Sequence, residues 1–434
     1  MAIDASRLTR QVAGCVLSLT LAWATPTRAA AERPPGVDPQ LADLLSEAVA
    51  NNPELAAARS ERDAALQRIA PAGALEDPML ELGVINAPLD PLSLRREDMT
   101  MKMLGLSQKL PFPGKRDLRR AVATADADSL ELAVQEANNT LVRDVRVAYE
   151  DLAFNAESQR IVARTQTALE QLVAIARARY DVGQAAQNDV LDAQTELERL
   201  RVEQLQLARE STVVQSELRR LLGRTGTPAP IVVAAPHLAA GPQLDIERGT
   251  LAIENRPQLL ALQALVDRNT RSLDLAQREY YPDFDLKLQY GQRDRAPDGM
   301  PRDDMVSLTV GVNLPIWRKS RLEPQVAEAR AMRSRAQSML AAQQLETQAA
   351  LDEQRATATQ SRQSAELYQS TLLPQVRASV TSALAAYRVG GVDFLTLRQA
   401  QLREFEVSTE LAEAIASHNK AVAEIDLLVG RSVP

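Results

Sequence analysis

Apolar and polar residues alternate with a period of two in a few short stretches of this chain. Leu80, Leu82 and Val84 alternate with Met79, Glu81 and Gly83, while Phe284, Leu286, Leu288 and Tyr290 alternate with Asp283, Asp285, Lys287 and Gln289. A returning stretch sets Val306, Leu308, Val310, Val312 and Leu314 against Met305, Ser307, Thr309, Gly311 and Asn313. Its earlier counterpart runs into "LSQKLPFPGKR" and puts Leu104, Leu106 and Leu110 on the oily side. Such a pattern predicts strands with one apolar and one polar face. Two hairpins result, 78–110 and 282–314, with polar, proline-containing loops at Asn86–Asp98 and about Gln292–Asp304.

Elsewhere the period is helical. A 3,4 spacing from Val190 gives Val190, Ala193, Leu197, Leu200, Gln204, Leu207, Ser211, Val214, Leu218 and Leu221. The positions 207 further on are Leu397, Ala400, Glu404, Val407, Leu411, Ala414, His418, Ala421, Ile425 and Leu428. Eight of ten are apolar in each set, which predicts a coiled-coil seam used twice. Lys115 to Val182 contains no Pro and no Gly, and as a helix would run roughly 100 Å at 1.5 Å per residue. Asn52 is the expected N-cap of an earlier helix, with Pro53 at its first position, where the missing N–H costs nothing. The predicted fold class is α+β, mostly α.

The seam is one part of an internal duplication. "NNPEL" at Asn51–Leu55 matches "NRPQL" at Asn255–Leu259, "DPMLELG" from Asp77 matches "YPDFDLK" from Tyr281, and Pro111 matches Pro315, all 204 apart. "YDVG" from Tyr180 matches "YRVG" from Tyr387, and the Gly223 and Gly430 ends also match, now 207 apart. The predicted first repeat is 37–223, with a helix, the hairpin 78–110 and a helical hairpin 114–223. A Pro- and Ala-rich connector, 224–244, contains Pro228, Pro230, Pro236 and Pro242. The second repeat is 245–430, with a helix, the hairpin 282–314 and a helical hairpin 320–430.

Composition and charge narrow the function. Aromatics are 3% of 434 residues, which suits thin, closely packed helices rather than one thick core. Arg7 and Arg10 precede an apolar run from Val12 to Ala24, and Ala29–Ala31 offers small residues for cleavage, so 1–31 is predicted to be an export signal. Val12–Cys15 also resembles a lipobox, although Cys15 precedes most of the apolar run instead of following it. The formal charge of −7, in an exported chain, argues against nucleic acid as a partner. Two His and one Cys leave little for a metal cage, and no dinucleotide-binding or nucleophile-elbow motif is present. His237 falls in the connector and His418 on the seam, both in structural rather than ligating positions.

Four strands cannot close a barrel. An oily sheet with open edges aggregates in water and is untenable in lipid, and membrane barrels have at least eight strands. Several chains must therefore contribute four transmembrane strands each. Beyond the export signal no apolar run reaches the length of a membrane-spanning helix. A shared outer-membrane barrel continued by a tube of long helices meets every constraint. The corners Pro111, Pro113 and Gly114, and Pro315 with Trp317, then fall where sheet gives way to helix, since proline ends a ladder yet is tolerated at a helix start. This reading puts Lys115, Arg116, Arg318, Lys319 and Arg321 near lipid headgroups and Phe112 and Trp317 at the interface.

The repeat, the two hairpins, the "LPFPGKR" and "LPIWRKS" corners and the paired Tyr-x-Val-Gly turns resemble the TolC-like outer-membrane efflux proteins. The resemblance covers nearly the whole mature chain. It implies a homotrimer in the outer membrane, with a twelve-stranded β-barrel and a twelve-helix periplasmic tube. It also implies a passive duct with no catalysis and no cofactor, docked on a periplasmic adaptor protein and an inner-membrane pump of the resistance-nodulation-division type. The docking tips implied are Tyr180, Val182 and Gly183 with Tyr387, Val389 and Gly390. The stretch from Asp77 to Arg116 looks most like the heavy-metal-cation branch; a type I secretion or drug-efflux duct of the same family is the alternative. An exported coiled-coil scaffold without a pore is the competing class, and it leaves the alternating strands and corner prolines unexplained.

Two further groups are candidates. Asp189 and Asp192 share one helix face, so three copies would set six carboxylates around an axis at the periplasmic aperture. Their counterparts are Thr396 and Gln399, and a solvated helix face is the other reading. Met99, Met101 and Met103 fall opposite Leu104 and Leu106, hence toward a lumen. Thioethers suit soft metals, and packing is the competing role.

Overall fold

A computed structural model describes residues 39–88, 93–226, 229–238 and 253–431. The export segment 1–31 with Cys15, and the connector residues Pro228 and Pro242, lie outside the described residues. In chain order the elements are α1 (Pro39–Asn51), α2 (Pro53–Ala72), β1 (Met79–Ile85), β2 (Met101–Leu110), α3 (Lys115–Asp181) and α4 (Gln187–Leu221). Then follow α5 (Pro257–Arg278), β3 (Phe284–Gln292), β4 (Met305–Val312), a π-helical turn (Arg318–Leu322), α6 (Glu323–Leu367), a second π turn (Tyr368–Leu372), α7 (Leu373–Arg388) and α8 (Phe394–Leu428).

The strands form one antiparallel sheet in the order β1-β2-β3-β4. The central β2–β3 pairing joins the two halves of the chain, with Leu104 opposite Tyr290 and Leu110 opposite Phe284. β1 and β4 are left as edges. β4 stops at Val312, so Leu314, expected as its last apolar position, belongs to the corner instead. Met99 lies in the turn before β2 rather than on the strand.

α3 is a single helix of 67 residues, as a run without Pro or Gly permits. Its start is set by Gly114, whose φ of 89° is left-handed, so a residue with a Cβ would be strained there and would also push aside the Arg278 guanidinium, whose Nη2 lies 2.7 Å from the Cβ position. α2 starts as expected. Asn52 Oδ1 accepts from Leu55 N at 2.9 Å, and its Nδ2 donates to Leu221 O at 2.9 Å, which ties the end of α4 to the start of α2. Gly223 backs onto Asn51 O, and Gly430 backs onto Asn255 O in the same way. In the second half Arg256 stands in the Asn52 position and caps nothing with its side chain. It reaches Glu136 at 2.6 Å and Thr347 at 3.3 Å.

Three apolar clusters hold the helices. One joins α1, α2, α3 and α4 through Leu45, Leu55, Val145, Leu152 and Leu218. A second, toward the helical turns, contains Leu169, Leu172, Leu200, Leu207 and Leu397. A third packs Leu259, Leu351, Ile425 and Leu428. α8 lies against both α3 and α6, whereas α4 packs mainly on α3. Polar links reinforce α3 against α8: Arg146–Asp426 at 2.6 Å, Arg143–Glu424 at 2.8 Å and Lys420–Asp151 at 2.9 Å. The connector joins in, because Asn419 Nδ2 donates to His237 O at 2.8 Å and Val233 is buried in the first cluster. His418 is buried, with Nδ1 2.9 Å from Ala358 O.

Candidate functional site

The sheet has two unlike faces. Leu80, Leu82, Val84, Leu104, Leu106, Leu286, Leu288, Val306, Leu308 and Val310 are all exposed on one of them, between 40% and 76%. Cross-strand register aligns them in rows, such as Leu82–Leu104–Tyr290–Val306. The other face carries rows such as Glu81–Gly105–Gln289–Ser307. There Lys287 pairs with Glu81 across the sheet. A broad apolar face of this kind needs a non-aqueous neighbour.

Both corners lie below this sheet, in unlike settings. At the first, Lys115 is 1% exposed, and its Nζ donates to Glu279 Oε2 at 3.0 Å, Asp283 Oδ1 at 2.9 Å and Tyr281 O at 3.0 Å. Phe112 N also donates to Asp283, at 2.8 Å, and the Phe112 ring stacks on Tyr281 with centroids 4.7 Å apart. Arg278 lies over both rings. Arg116 Nε donates to Gly73 O at 2.9 Å. These contacts correct the placement of Lys115, Arg116 and Phe112 at a lipid surface, because the α5–β3 joint of the same chain engages Lys115 and Phe112 and the end of α2 engages Arg116. Pro111 is half-buried beside them, and Pro113 is exposed. At the second corner Ile316 and Trp317 are each 68% exposed, and Arg318, Lys319 and Arg321 are exposed too. Pro315 is half-buried.

The helical turns close alike and differ in their tyrosines. Gly183 and Gly390 are left-handed, with φ of 75° and 81°. Gln184 N donates to Arg179 O, and Gly391 N to Ala386 O, both at 2.8 Å, the closure expected of glycine at a helix end. Tyr180 is 44% exposed, Val182 and Val389 more so, but Tyr387 is 2% exposed. Arg179 accounts for the difference: its guanidinium lies 4.6 Å over the Tyr387 ring and donates to Tyr387 O at 2.6 Å. Phe394 packs edge-on against the same ring, with centroids 6.0 Å apart. Burial pushes the Tyr387 phenol above its ordinary range, partly offset by Arg179. Tyr387 is therefore a clasp between the two turns, not an outer surface. The signal was present in the repeat, since Arg179 and Phe394 have Ala386 and Gln187 as counterparts and nothing stands ready to cover Tyr180.

Asp189 and Asp192 fall in the first turns of α4 and are half-buried. They are not a matched pair. Asp192 faces Arg398 of α8 at 3.7 Å and accepts from Asn188 at 3.3 Å. Met101 and Met103 sit on the polar face of β2, in register with Ile85 and Gly83 of β1.

A transmembrane-type hairpin sheet set on long helical hairpins defines an efflux-channel fold. A model of the outer membrane efflux protein family matches residues 44–224 and again 249–431, and the chain belongs to that family. Solved structures share the fold. CusC, described as forming a transmembrane channel, aligns at a TM-score of 0.76 and 16% identity over 92% of this chain and 93% of its own. The outer-membrane channel OprN aligns at 0.78 and 17% over 91% of both chains. VceC, an outer membrane protein of Vibrio cholerae, aligns at 0.75 and 16% over 91% of this chain and 97% of its own. No curated protein sequence matches the chain.

Proposed function

We propose that this chain is the outer-membrane duct of a tripartite efflux system, assembled as a homotrimer with a twelve-stranded barrel and a twelve-helix periplasmic tube. The observation that carries the reading is the four-stranded sheet with one predominantly apolar, exposed face and two unpaired edges. Three such sheets joined edge to edge remove every edge and put the apolar faces into lipid and the polar faces around water. No helix among the described residues is long and apolar enough to cross a membrane. A duplication of 37–223 into 245–430 is supported by the two family matches and by the like contacts of Gly223 and Gly430.

Partners follow from exposed groups. Tyr180, Val182 and Gly183, with Val389 and Gly390, offer the surface for a periplasmic adaptor, which couples the duct to a resistance-nodulation-division pump. Tyr387 stiffens that surface from within. Asp189, with Asp192 braced by Arg398, gives the aperture an acidic lining. Heavy-metal cations are the proposed cargo, on the likeness of the stretch from Asp77 to Arg116 to that branch. Purified from outer membranes in detergent, the protein is expected to run at a trimeric mass and to open cation-conducting pores in planar bilayers. A protein that stays soluble and monomeric without detergent would overturn the reading.

A further inference from the structure

The chain contains nine methionines, and six of them, Met79, Met99, Met101, Met103, Met300 and Met305, fall in the two hairpins and their loops. Methionine is ordinarily a flexible filler of apolar gaps. Here the long helices, which have most of the gaps to fill, hold only Met332 and Met339, both exposed. The filler role therefore does not explain the distribution.

Strand register shows what the distribution does. One row across the polar face reads Gly83–Met103–Gly291–Met305. Met103 and Met305 thus flank Gly291 from the strands on either side, with neighbouring strands about 4.8 Å apart. Met101, two residues before Met103, leans over the same glycine, its Sδ 2.5 Å from where a Cβ would stand. Gly291 of β3 is the empty centre of three thioether-bearing residues contributed by the strands on either side of it, β2 and β4, from both halves of the chain. Met99 is outside this group because it lies in the turn.

We propose that Met101, Met103 and Met305 form a transit site for a soft monovalent cation, Cu(I) or Ag(I), on the water-facing side of the sheet. Thioether sulfur is a neutral, soft donor suited to these ions, whereas Zn(II) and Co(II) favour imidazole, carboxylate or thiolate. The surroundings reinforce that choice. In the next row the Glu81 carboxylate is paired with Lys287 rather than turned to the sulfurs. Among the described residues no group of three or more His, Cys, Asp or Glu is placed to hold a metal. Neutral ligands also bind weakly enough for release, as conduction requires. The trimer would bring three such sites to one level of the lumen. The site rests on the duct reading only for which face of the sheet meets water.

The test uses the full-length protein purified in detergent and silver nitrate, which avoids copper redox chemistry. Calorimetric titration is expected to show saturable Ag(I) binding that weakens at least about tenfold in the M101L/M103L/M305L variant. Leu conserves volume and removes only the sulfur. The M332L/M339L variant should bind like wild type, and zinc nitrate should give no heat. G291A, which keeps all three methionines but puts a methyl where Met101 Sδ lies, should also weaken binding. A second measurement needs no variant: peroxide oxidation mapped by mass spectrometry should show Ag(I) protecting Met101, Met103 and Met305 but not Met332 or Met339. Unaltered binding in the triple variant, or no selective protection in wild type, would overturn the site. Silver protection in a protein that forms no pore would sink the duct and leave the site standing.

Discussion

Lys115 and Lys319 occupy matching positions in the two strand-to-helix corners, 204 residues apart, and their surroundings are opposite. The first is enclosed by Glu279, Tyr281 and Asp283; the second is exposed. The cause is sheet order. β2 pairs with β3, so the first corner meets the α5–β3 joint of its own chain. β4 is an edge, so the second corner meets nothing. Residues 204 before Glu279, Tyr281 and Asp283 are Leu75, Asp77 and Met79, in the α2–β1 joint beside the opposite edge. In a closed ring, β4 of one chain meets β1 of the next, and Lys319 meets that joint. In the proposed ring, the exposed member of such a pair would mark where one chain stops and its copy begins.

The sharpest way to test this contrast is covalent. D77C combined with K319C should convert oxidised protein to a ladder of linked dimers and trimers on non-reducing gels, while either cysteine alone should not. Monomer only, in the double variant, would break the equivalence of the corners. Next in size is the loss of the enclosed cation. Lys115→Met removes the enclosed cation between Glu279 and Asp283 and leaves only Arg119, 3.7 Å from Glu279, as a counter-charge; as both carboxylates are partly solvated the expected cost is about 2–3 kcal/mol. Lys319→Met should change stability by less than about 0.5 kcal/mol before trimer assembly. Denaturant unfolding of both variants decides the matter, and equal losses would remove the distinction.

The smallest effect concerns the α3–α8 contact, which also joins the halves. Burial raises the carboxyl of Glu150 above its ordinary value of 4.5, opposed by the Asn419 hydrogen bond and by the nearby His237 and Arg146, with Asp151 adding to the rise. The folded state therefore holds this proton more tightly than the unfolded chain. Stability falls as pH rises from 4.5 through the folded value and is unaffected below 4.5. Glu150→Gln keeps an acceptor for Asn419 and removes the charge, so it should stabilise the protein slightly at neutral pH and make no difference at pH 4. A variant less stable than wild type at neutral pH would show that the charge, not the amide-like contact, holds α8.

Legibility in the sequence divides along the distance between partners. The strands, the Asn52 cap, the left-handed glycines and the uninterrupted α3 each depend on residues within a few positions, and periodicity exposes them. The enclosure of Lys115 depends on residues 164 to 168 positions away, and no local pattern carries that. Tyr387 and Tyr180 differ in the sequence only in their neighbours, Arg179 and Phe394 against Ala386 and Gln187, and what that difference does shows only when Arg179, from the other half, is brought over Tyr387. Met99, Met101 and Met103 were visible as a run, but the run is not the group. Met305 enters, and Met99 leaves, only when the β2–β3 register is fixed across the two halves.

The π turn at Tyr368–Leu372 has a mechanical consequence. A π turn replaces the i→i+4 bonding of a helix with a wider, less regular loop of backbone, and so marks a compliant point. α3 passes from corner to tip with no such interruption, whereas the matching column is divided into α6 and α7, with Pro374 just beyond the break. Under an axial or twisting load the two columns will not share deformation equally. The first is built as a strut and the second as a jointed arm, and because Arg179 clasps Tyr387 between the two turns, bending at Tyr368–Leu372 lets the second column follow the first without breaking that contact.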